Sequence, residues 1–538
     1  MAEARSSSDA PPVALQRTRA RKVWDNRAAW DSVYDDAYNY VLPNRNPASR
    51  GKNKRPAQLI FDMTGPNAAM HCAGEIQRQV FPAATPFMIE VGPLVASRLS
   101  LDEKKVFNRE LSRVANQIYP YFLTGDFDTA VHEMCTDLTI GTGALLPIRG
   151  PSIEQPLAFV AIPQGEIAIA QDAWGRVNYV SWKRENLGRE AIREAWPRHS
   201  YSKDFLDAEA KDPYGEVTVY QDFFRLPDGR WRFVAYLDTD KEGFIAAETY
   251  RTQPIAVARF YRWPGEAYGR GPVLFALPSI KTANKAQELA LKAAAIQMLG
   301  IWGFRAGGTF NPDTVRVGPG EFWAMQSTGG VLGPDVQRLD PASGRLDVAR
   351  MVQEGLQAQI REALLDTRIH EKEGTPRAAS EIAARMQQNA TIHVGAYGRL
   401  NRETIGVIVP RAMEILNDWQ LMPSMMNFNE LILSTQVNSP MAAALKADEL
   451  RAMMSYYELA IAVAGPQRAS LYVHHDRMMD RAREIMIVNN EIVPTPDERK
   501  KAEQDIANQE AAAVAAEMAT RAAPQLAQGL MAPEAEAA

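Results

Sequence analysis

The sequence predicts an α+β fold, on three observations. Through roughly the first 140 residues, apolar side chains recur every three or four positions, the spacing that buries one face of a helix. From about 144 to 262 the pattern changes to short apolar or alternating runs separated by turns, which reads as β. Beyond that, two long helical runs bracket a glycine-rich stretch, and the remainder of the chain is helical.

Each element has its own warrant. Residues 1–20 read as a mildly basic, disordered arm, with the boundary of the arm set at 1–23. A helix follows, in which Trp30, Tyr34 and Tyr38 recur every fourth position as one aromatic stripe, read as core packing. The stretch 43-PNRNPASRGKNKRP-56 ends it as a basic loop, solvated or touching DNA or a partner. Asp62, Thr64 and Pro66 are helix-start chemistry, and Ala69, Cys72, Ile76 and Val80 give the next helix an apolar face until Pro82 and Pro86 stop it. Further helices are expected over about 101–122 and 126–140.

In the β block, 217-VTVYQDFFRLPDGRWRFVAYLDTD-240 predicts a hairpin turning at Pro227-Asp228-Gly229, and 255-IAVARFYRW-263 another strand. Helix returns after Pro278 and runs to about 300. The segment 300–344 is irregular, and a second long helix is expected over 346–366, with Val348, Met351, Val352, Leu356, Ile360, Ala363 and Leu364 on a continuous apolar face. A charged hinge, 367-TRIHEKEGTPRAAS-380, leads into a long helix over about 380–420. The end, 499–538, is rich in alanine and glutamate, so it favours helix but offers little to bury.

Composition narrows the function. At 538 residues the chain is long enough for several domains, and 46% hydrophobic with 23% charged residues is ordinary for a globular protein with a core. A net charge of −5 argues against a protein that grips nucleic acid tightly. No apolar run reaches the roughly eighteen residues a membrane helix needs, and the N-terminus lacks the apolar core of a secretory signal. The two cysteines, Cys72 and Cys135, sit in helical apolar patterns and are expected as buried free thiols in a reducing compartment.

Chemistry-bearing motifs are absent from the sequence. There is no G-x-x-x-x-G-K-[ST], no H-E-x-x-H, no G-x-S-x-G and no C-x-x-C, so no catalytic, cofactor-binding or metal-binding residue is assigned and no cofactor is expected. The side chains of His474 and His475 diverge on a helix. Asp126, Asp128 and Asp137 read as complements to a helix dipole. Gly269-Arg270-Gly271-Pro272 superficially resembles a phosphate loop, but Leu274 stands where a third glycine belongs and Pro272 lacks an N–H to donate. The better reading is a sharp backbone joint. On the helix beyond it, Lys281, Lys285, Glu288 and Lys292 fall within about 60° of one another, a solvated stripe knitted by ion pairs unless the helix repeats around an axis.

In this order, these elements resemble the head-to-tail connecting (portal) proteins of short-tailed phages. The resemblance is carried by Trp24 to Trp30, by Tyr40-Val41-Leu42-Pro43, and by 60-IFDMTGPNAAMHCAGEIQRQVFP-82, with Met63 where the family usually has a small residue. It continues through Tyr268-Gly269-Arg270-Gly271-Pro272, Leu277-Pro278-x-x-Lys281-x-x-Asn284, 374-GTPRAASEIAARMQQN-389 and 395-GAYGRLNRETIGVIVPRAMEIL-416, so it spans about 24–420. It implies a portal fold with an α/β wing, a two-helix stem, a small α/β clip and a helical C-terminal crown, assembled as a ring of usually about twelve subunits. Mapped onto this chain, the arm is 1–23, the wing 24–272 with its long helix and return at 380–439, and the stem helices are 273–299 and 346–366. The clip is 300–345, the channel loop 367–379 and the crown and tail 440–538.

The resemblance further implies a DNA channel at one capsid vertex, used for packaging, retention and ejection. Lys281, Lys285, Lys292, Arg368, Lys372 and Arg377 are the candidates for weak, sequence-blind contact with double-stranded DNA. Trp302, Phe304, Phe310, Phe322 and Trp323 are the candidate clip anchors for partners. Those partners would be the major capsid and scaffolding proteins, the packaging ATPase (terminase) and then tail adaptor proteins, with no membrane. The location implied is the virion, preceded by the host cytoplasm during assembly. Two alternatives stay open: a nucleic-acid-processing enzyme of unrecognised type, and a non-portal adaptor or scaffold ring.

Overall fold

The computed structural model describes residues 12–45, 60–82, 87–197, 201–238, 243–299, 301–304, 336–339, 346–366, 396–422, 433–437, 440–465, 468–486, 494 and 496–529. The helices of the first half are α1 (Val13–Val41), α2 (Thr64–Val80), α3 (Pro93–Ala96), α4 (Leu101–Thr124), α5 (Phe127–Leu138), α6 (Arg189–Ala195) and α7 (Lys203–Lys211). The strands are β1 (Phe87–Val91), β2 (Thr142–Arg149), β3 (Leu157–Ile162), β4 (Ile167–Gln171), β5 (Val177–Gly188), β6 (Glu216–Arg225), β7 (Trp231–Leu237), β8 (Ala246–Tyr250) and β9 (Ala256–Arg259). Then come α8 (Pro272–Leu299), β10 (Ile301–Phe304), β11 (Val336–Leu339), α9 (Leu346–Ala363), helical residues 396–403 (α10) and α11 (Ile405–Asp418). The chain continues through β12 (Leu433–Val437), α12 (Pro440–Ala464), α13 (His475–Met486) and α14 (Pro496–Gly529).

Contacts divide the chain into two units. One gathers Met1–Phe81, Thr124–Ala384 and Ile392–Leu416; the other gathers Pro82–Leu123, Arg385–Thr391 and Asn417–Ala538. In the first, β4 to β8 form a five-stranded antiparallel meander, and β2 pairs with β3 and β9 in a second sheet. Every residue of β7 is buried, as a central strand covered on both faces requires. The β6–β7 hairpin turns where the sequence places it: Gly229 takes a φ of +90°, which glycine adopts without strain, and the Asp228 carboxylate accepts the Arg230 N–H at 2.9 Å.

The expected arm needs correction. Helix α1 begins at Val13, and Val13, Gln16, Ala20 and Val23 are buried. Val23 joins a core with Ala168, Tyr179, Phe224, Val234 and Tyr236 of the meander. The segment looks like an arm because its buried positions are sparse and its polar ones are matched by the sheet. Gln16 Nε2 donates to Asp222 Oδ2 (2.9 Å), and the Arg19 guanidinium lies 4.2 Å from the centre of the Tyr179 ring. Farther along α1, Tyr34 and Tyr38 are buried and Trp30 stacks on Tyr34 at 5.6 Å, as the aromatic stripe requires.

Asp137 is not a first-turn dipole complement. It is buried in the last turn of α5, where it accepts the Tyr38 hydroxyl (2.9 Å) and both Nε (2.8 Å) and Nη2 (3.1 Å) of Arg45, so that the end of α1 is tied to α5. Cys72 and Cys135 are free and buried, and burial holds both thiols well above their usual range.

The joint at Gly269–Pro272 is a contact of backbone on backbone. A Cβ on Gly269 would stand 2.3 Å from Gly141 O, one on Gly271 2.0 Å from Thr139 O, and one on Gly141 2.2 Å from Gly269 O. Gly271 N–H donates to Ile140 O at 2.7 Å, and Tyr34 O–H to Gly269 O at 2.8 Å. Helix α8 starts here, at Pro272, and not after Pro278, which lies within it. Proline suits the first helical position, and the one hydrogen bond lost at Pro278 falls near the helix start, where tertiary packing carries the helix past it. Of the helix expected over 380–420, the described part is α10 and α11, with Thr404 between them returning both N–H and Oγ to Leu400 O.

In the second unit, β1 and β12 pair antiparallel, Phe87 opposite Val437. Phe87 and Phe122 are buried together with their rings 5.2 Å apart. Ion pairs knit its helices: Lys105–Asp480 at 2.7 Å, Arg109–Glu498 at 3.0 Å and Arg499–Asp476 at 2.8 Å. Helix α14 is exposed from Lys500 to Val514.

Candidate functional site

Helices α8 and α9 pack against each other within the first unit. Gln353 on α9 meets Gln287 on α8, while Gln357 and Asn284 both reach Asp62, so residue numbers rise on one helix as they fall on the other and the pair is antiparallel. Asp62 organises this end. Its Oδ1 accepts the Thr64 N–H (2.8 Å) and hydroxyl (2.6 Å) at the start of α2, and its Oδ2 accepts Gln357 Nε2 (3.2 Å). Asn284 Oδ1 accepts the N–H groups of Phe61 (2.6 Å) and Asp62 (3.0 Å), and Ile280 lies 3.1 Å from where a Cβ would stand on Gly65. The helix-start residues and the Leu277-to-Asn284 motif are therefore one contact.

The apolar face assigned to α9 is only partly buried. Ile360 and Leu364 are enclosed, but Met351 and Val352 are 76% and 58% exposed. Periodicity marks a face without saying what covers each end of it.

Opposite this packing, α8 presents its lysines to solvent. Lys281 Nζ bonds Asp36 on α1 at 2.6 Å and lies 5.3 Å from the Tyr40 ring centre. Lys285 and Lys292 share Glu288, at 2.8 and 2.6 Å. Hydrogen bonds from Lys285 first and Lys292 second hold the Glu288 carboxyl down at about 2. Two acids thus offset three lysines, and the stripe is less basic than its sequence suggests. A shallow depression of about 420 Å³, lined by Lys281, Thr282, Lys285, Ala286 and Leu289, runs along it. Exposed ion pairs are weak, so these ammonium groups can exchange a carboxylate for a phosphate oxygen at little cost.

The other assigned residues fall differently. Trp302 and Phe304 lie on β10, opposite Arg338 and Val336 of β11. Arg368, Lys372, Arg377, Phe310, Phe322 and Trp323 lie outside the described residues. Two charged constellations escaped the sequence reading. Arg259, 2% exposed at the end of β9, pairs with Glu403 on α10 through Nη2 and its own N–H. Glu414 on α11 accepts the Arg251 N–H (2.9 Å) and Arg411 Nη1 (3.0 Å), while the Arg411 guanidinium lies 4.0 Å from the Tyr250 ring centre. The signal available was an arginine closing the otherwise apolar AVAR of β9, since a buried strand tolerates a charge only when it is paired. Asp222 was legible in the same way, in the midst of VYQDFF; burial pushes its carboxyl up, against hydrogen bonds that include those from Gln16 and Tyr236.

Among the described residues no helix is long and apolar enough to cross a membrane. A family model described as bacteriophage head to tail connecting protein matches residues 14–493 of the chain. No curated protein sequence matches it. Among solved structures, a chain of the virion of a native gene transfer agent particle is 9% identical, covering 76% of this chain and 89% of that one at a TM-score of 0.33. A chain from the neck of an empty particle of the same kind, computed with C6 symmetry, is 11% identical, covering 77% and 90% at a TM-score of 0.32. TM-scores this low do not establish a shared fold.

Proposed function

The chain belongs to the bacteriophage head-to-tail connecting proteins, and from that membership we propose that it is a portal subunit. About twelve copies close into a ring at one capsid vertex, leaving a channel for double-stranded DNA during packaging, retention and ejection. What carries the reading, beside the family match, is the antiparallel pair of rods α8 and α9, with the paired strands β10 and β11 between them in the sequence. Repeated about an axis, such rods line a bore.

The ring resists adhesion to its cargo. Twelve copies at −5 each carry about −60, so the bulk of the wall repels DNA. Lys281, Lys285 and Lys292, each already shared with a carboxylate, meet phosphates weakly and without reading sequence. Arg368, Lys372 and Arg377 are assigned to a loop that narrows the channel. The clip, with Trp302, Phe304, Phe310, Phe322 and Trp323, receives the packaging ATPase and later the tail adaptor proteins, while the rim of the ring meets the major capsid and scaffolding proteins. The chain itself performs no chemistry; the motor is a separate polypeptide. The ring belongs to the virion and is built in the host cytoplasm.

Native mass measurement with negative-stain imaging tests this. The expected result is a species near 716 kDa, twelve times 59.7 kDa, with a central pore. A stable particle near 60 kDa without a pore overturns it.

A further inference from the structure

Two patches of the first unit carry charge that the chain leaves uncompensated, at opposite ends of one strand. The first surrounds Gly175, in the turn between β4 and β5. Both Nη atoms of Arg259 lie 3.3 Å from Gly175 O, and the Arg262 guanidinium rests on the same residue, 1.6 Å from where a Cβ would stand. On α10, Arg399 and Arg402 flank Glu403, the carboxylate that takes Arg259. Four guanidinium groups therefore gather round one acid. Burial first, and then the charges of Arg259, Arg262 and Arg402, lower the pKa of Arg399 against the pull of Glu403. The Nε atoms of Arg259 and Arg262 and Nη1 of Arg399 are buried with no hydrogen-bond partner. Beside them Trp174 is 83% exposed, in a turn fixed by the Asp172 carboxylate, which accepts the N–H groups of Trp174 (2.9 Å) and Arg176 (2.8 Å).

The second patch begins where β5 ends. Helices α6 and α7 expose Glu190 and Glu194, four residues apart, and Asp204 and Asp207, three apart. None has an ion-pair partner among the described residues; Arg193 is taken by Glu209 at 3.0 Å and Arg189 by Asp212 O at 2.8 Å. Like charges one helical turn apart repel, so each pair is destabilising as it stands.

We propose that these patches are the two halves of one contact between neighbouring copies of this chain, the arginine cluster of one receiving the α6–α7 carboxylates of the next. The inference rests on the ring reading above. A ring of identical subunits closes through a head-to-tail contact, which needs two different, complementary surfaces at separate places on each subunit. Here the excesses have opposite sign and comparable size, held about 40 Å apart by the twelve residues of β5. Three guanidinium groups beyond the one acid stand against a net two carboxylates on α6 and α7, once Arg189, Arg193, Lys203 and Lys211 are set against Glu190, Glu194, Asp204, Asp207, Glu209 and Asp212. Guanidinium pairs bidentately with carboxylate, and Trp174, already fixed in its turn, supplies a rigid apolar anchor at the rim.

Charge reversal tests it on the full chain. Arg399→Glu with Arg402→Glu, and separately Glu190→Arg with Glu194→Arg, should each raise the concentration for half-assembly at least about tenfold, with melting by circular dichroism as the folding control. Mixing the two variants should restore rings, because every contact in an alternating ring is then complementary. Rings at wild-type concentration from both variants, or no rescue on mixing, overturn the assignment and leave the portal reading standing. Intact rings that merely lose affinity for a DNA duplex overturn it in favour of a nucleic-acid surface. A wild-type chain that never assembles overturns both.

Discussion

Glu403 grips Arg259 at two points, its Oε2 accepting the main-chain N–H at 3.0 Å while its Oε1 takes the guanidinium, and Arg259 is all but sealed from solvent. One carboxylate therefore holds α10 to the end of β9. Removing it leaves a buried cation with no counter-charge.

Glu403→Ala should cost about 3 kcal/mol or more of stability, the usual penalty for breaking a buried ion pair from one side. Urea unfolding followed by tryptophan fluorescence measures it. A loss below about 1 kcal/mol, the value of a surface pair, would show that Arg259 finds solvent.

Gly269→Ala and Gly271→Ala should each destabilise by at least about 3 kcal/mol, because the new methyl would meet backbone oxygen, which cannot rotate away. Gly188→Ala meets nothing within 4 Å and should stay within about 0.5 kcal/mol of wild type. Thermal melting of the three variants side by side gives the comparison.

Asp222 gives stability a pH dependence of defined sign. Its folded pKa lies above its unfolded value, so the folded state binds the proton more tightly. That contribution is complete below about pH 4 and is lost as pH rises through the elevated folded pKa. Asp222→Asn should remove this downward trend with rising pH, seen as a smaller difference in melting temperature between pH 4 and pH 7 than in wild type. Equal differences in the two proteins would show that Asp222 titrates normally.

Lys285→Glu should disturb the proposed channel more than loss of one charge implies, since it places a second acid beside Glu288 and leaves Lys292 as the only one of the two lysines to offset both. If the proposed ring forms, particles carrying it, or Arg377→Glu, should retain several-fold less packaged DNA, because the change is repeated in every subunit. DNA content per particle by nuclease protection reads the effect; wild-type retention in both would remove these residues from the channel.

The legible parts of this fold are those where local pattern and tertiary partner agree. The β6–β7 turn follows from Pro227-Asp228-Gly229 alone, and α2 from Asp62 and Thr64, because the residues that decide them are neighbours in sequence. Helix α1 was misjudged at its start because Gln16 and Arg19 find their partners on β5 and β6, some 160 to 200 positions away. The lysine stripe on α8 was visible as periodicity, but Asp36 belongs to another helix, and its share of the charge is a tertiary fact. The arginines around Gly175 come from β9, the residues after it and α10, and no single window of sequence contains them.

The seam at Gly141, Gly269 and Gly271 has a mechanical corollary. Where main chains touch with no side chains between them, there are no rotamers to yield and no filler to squeeze, so a thrust along α8 passes undamped into β2 and β9. Bending at that point requires breaking the peptide hydrogen bonds across it. The rod is welded to its plate, and compliance must be sought elsewhere along the chain.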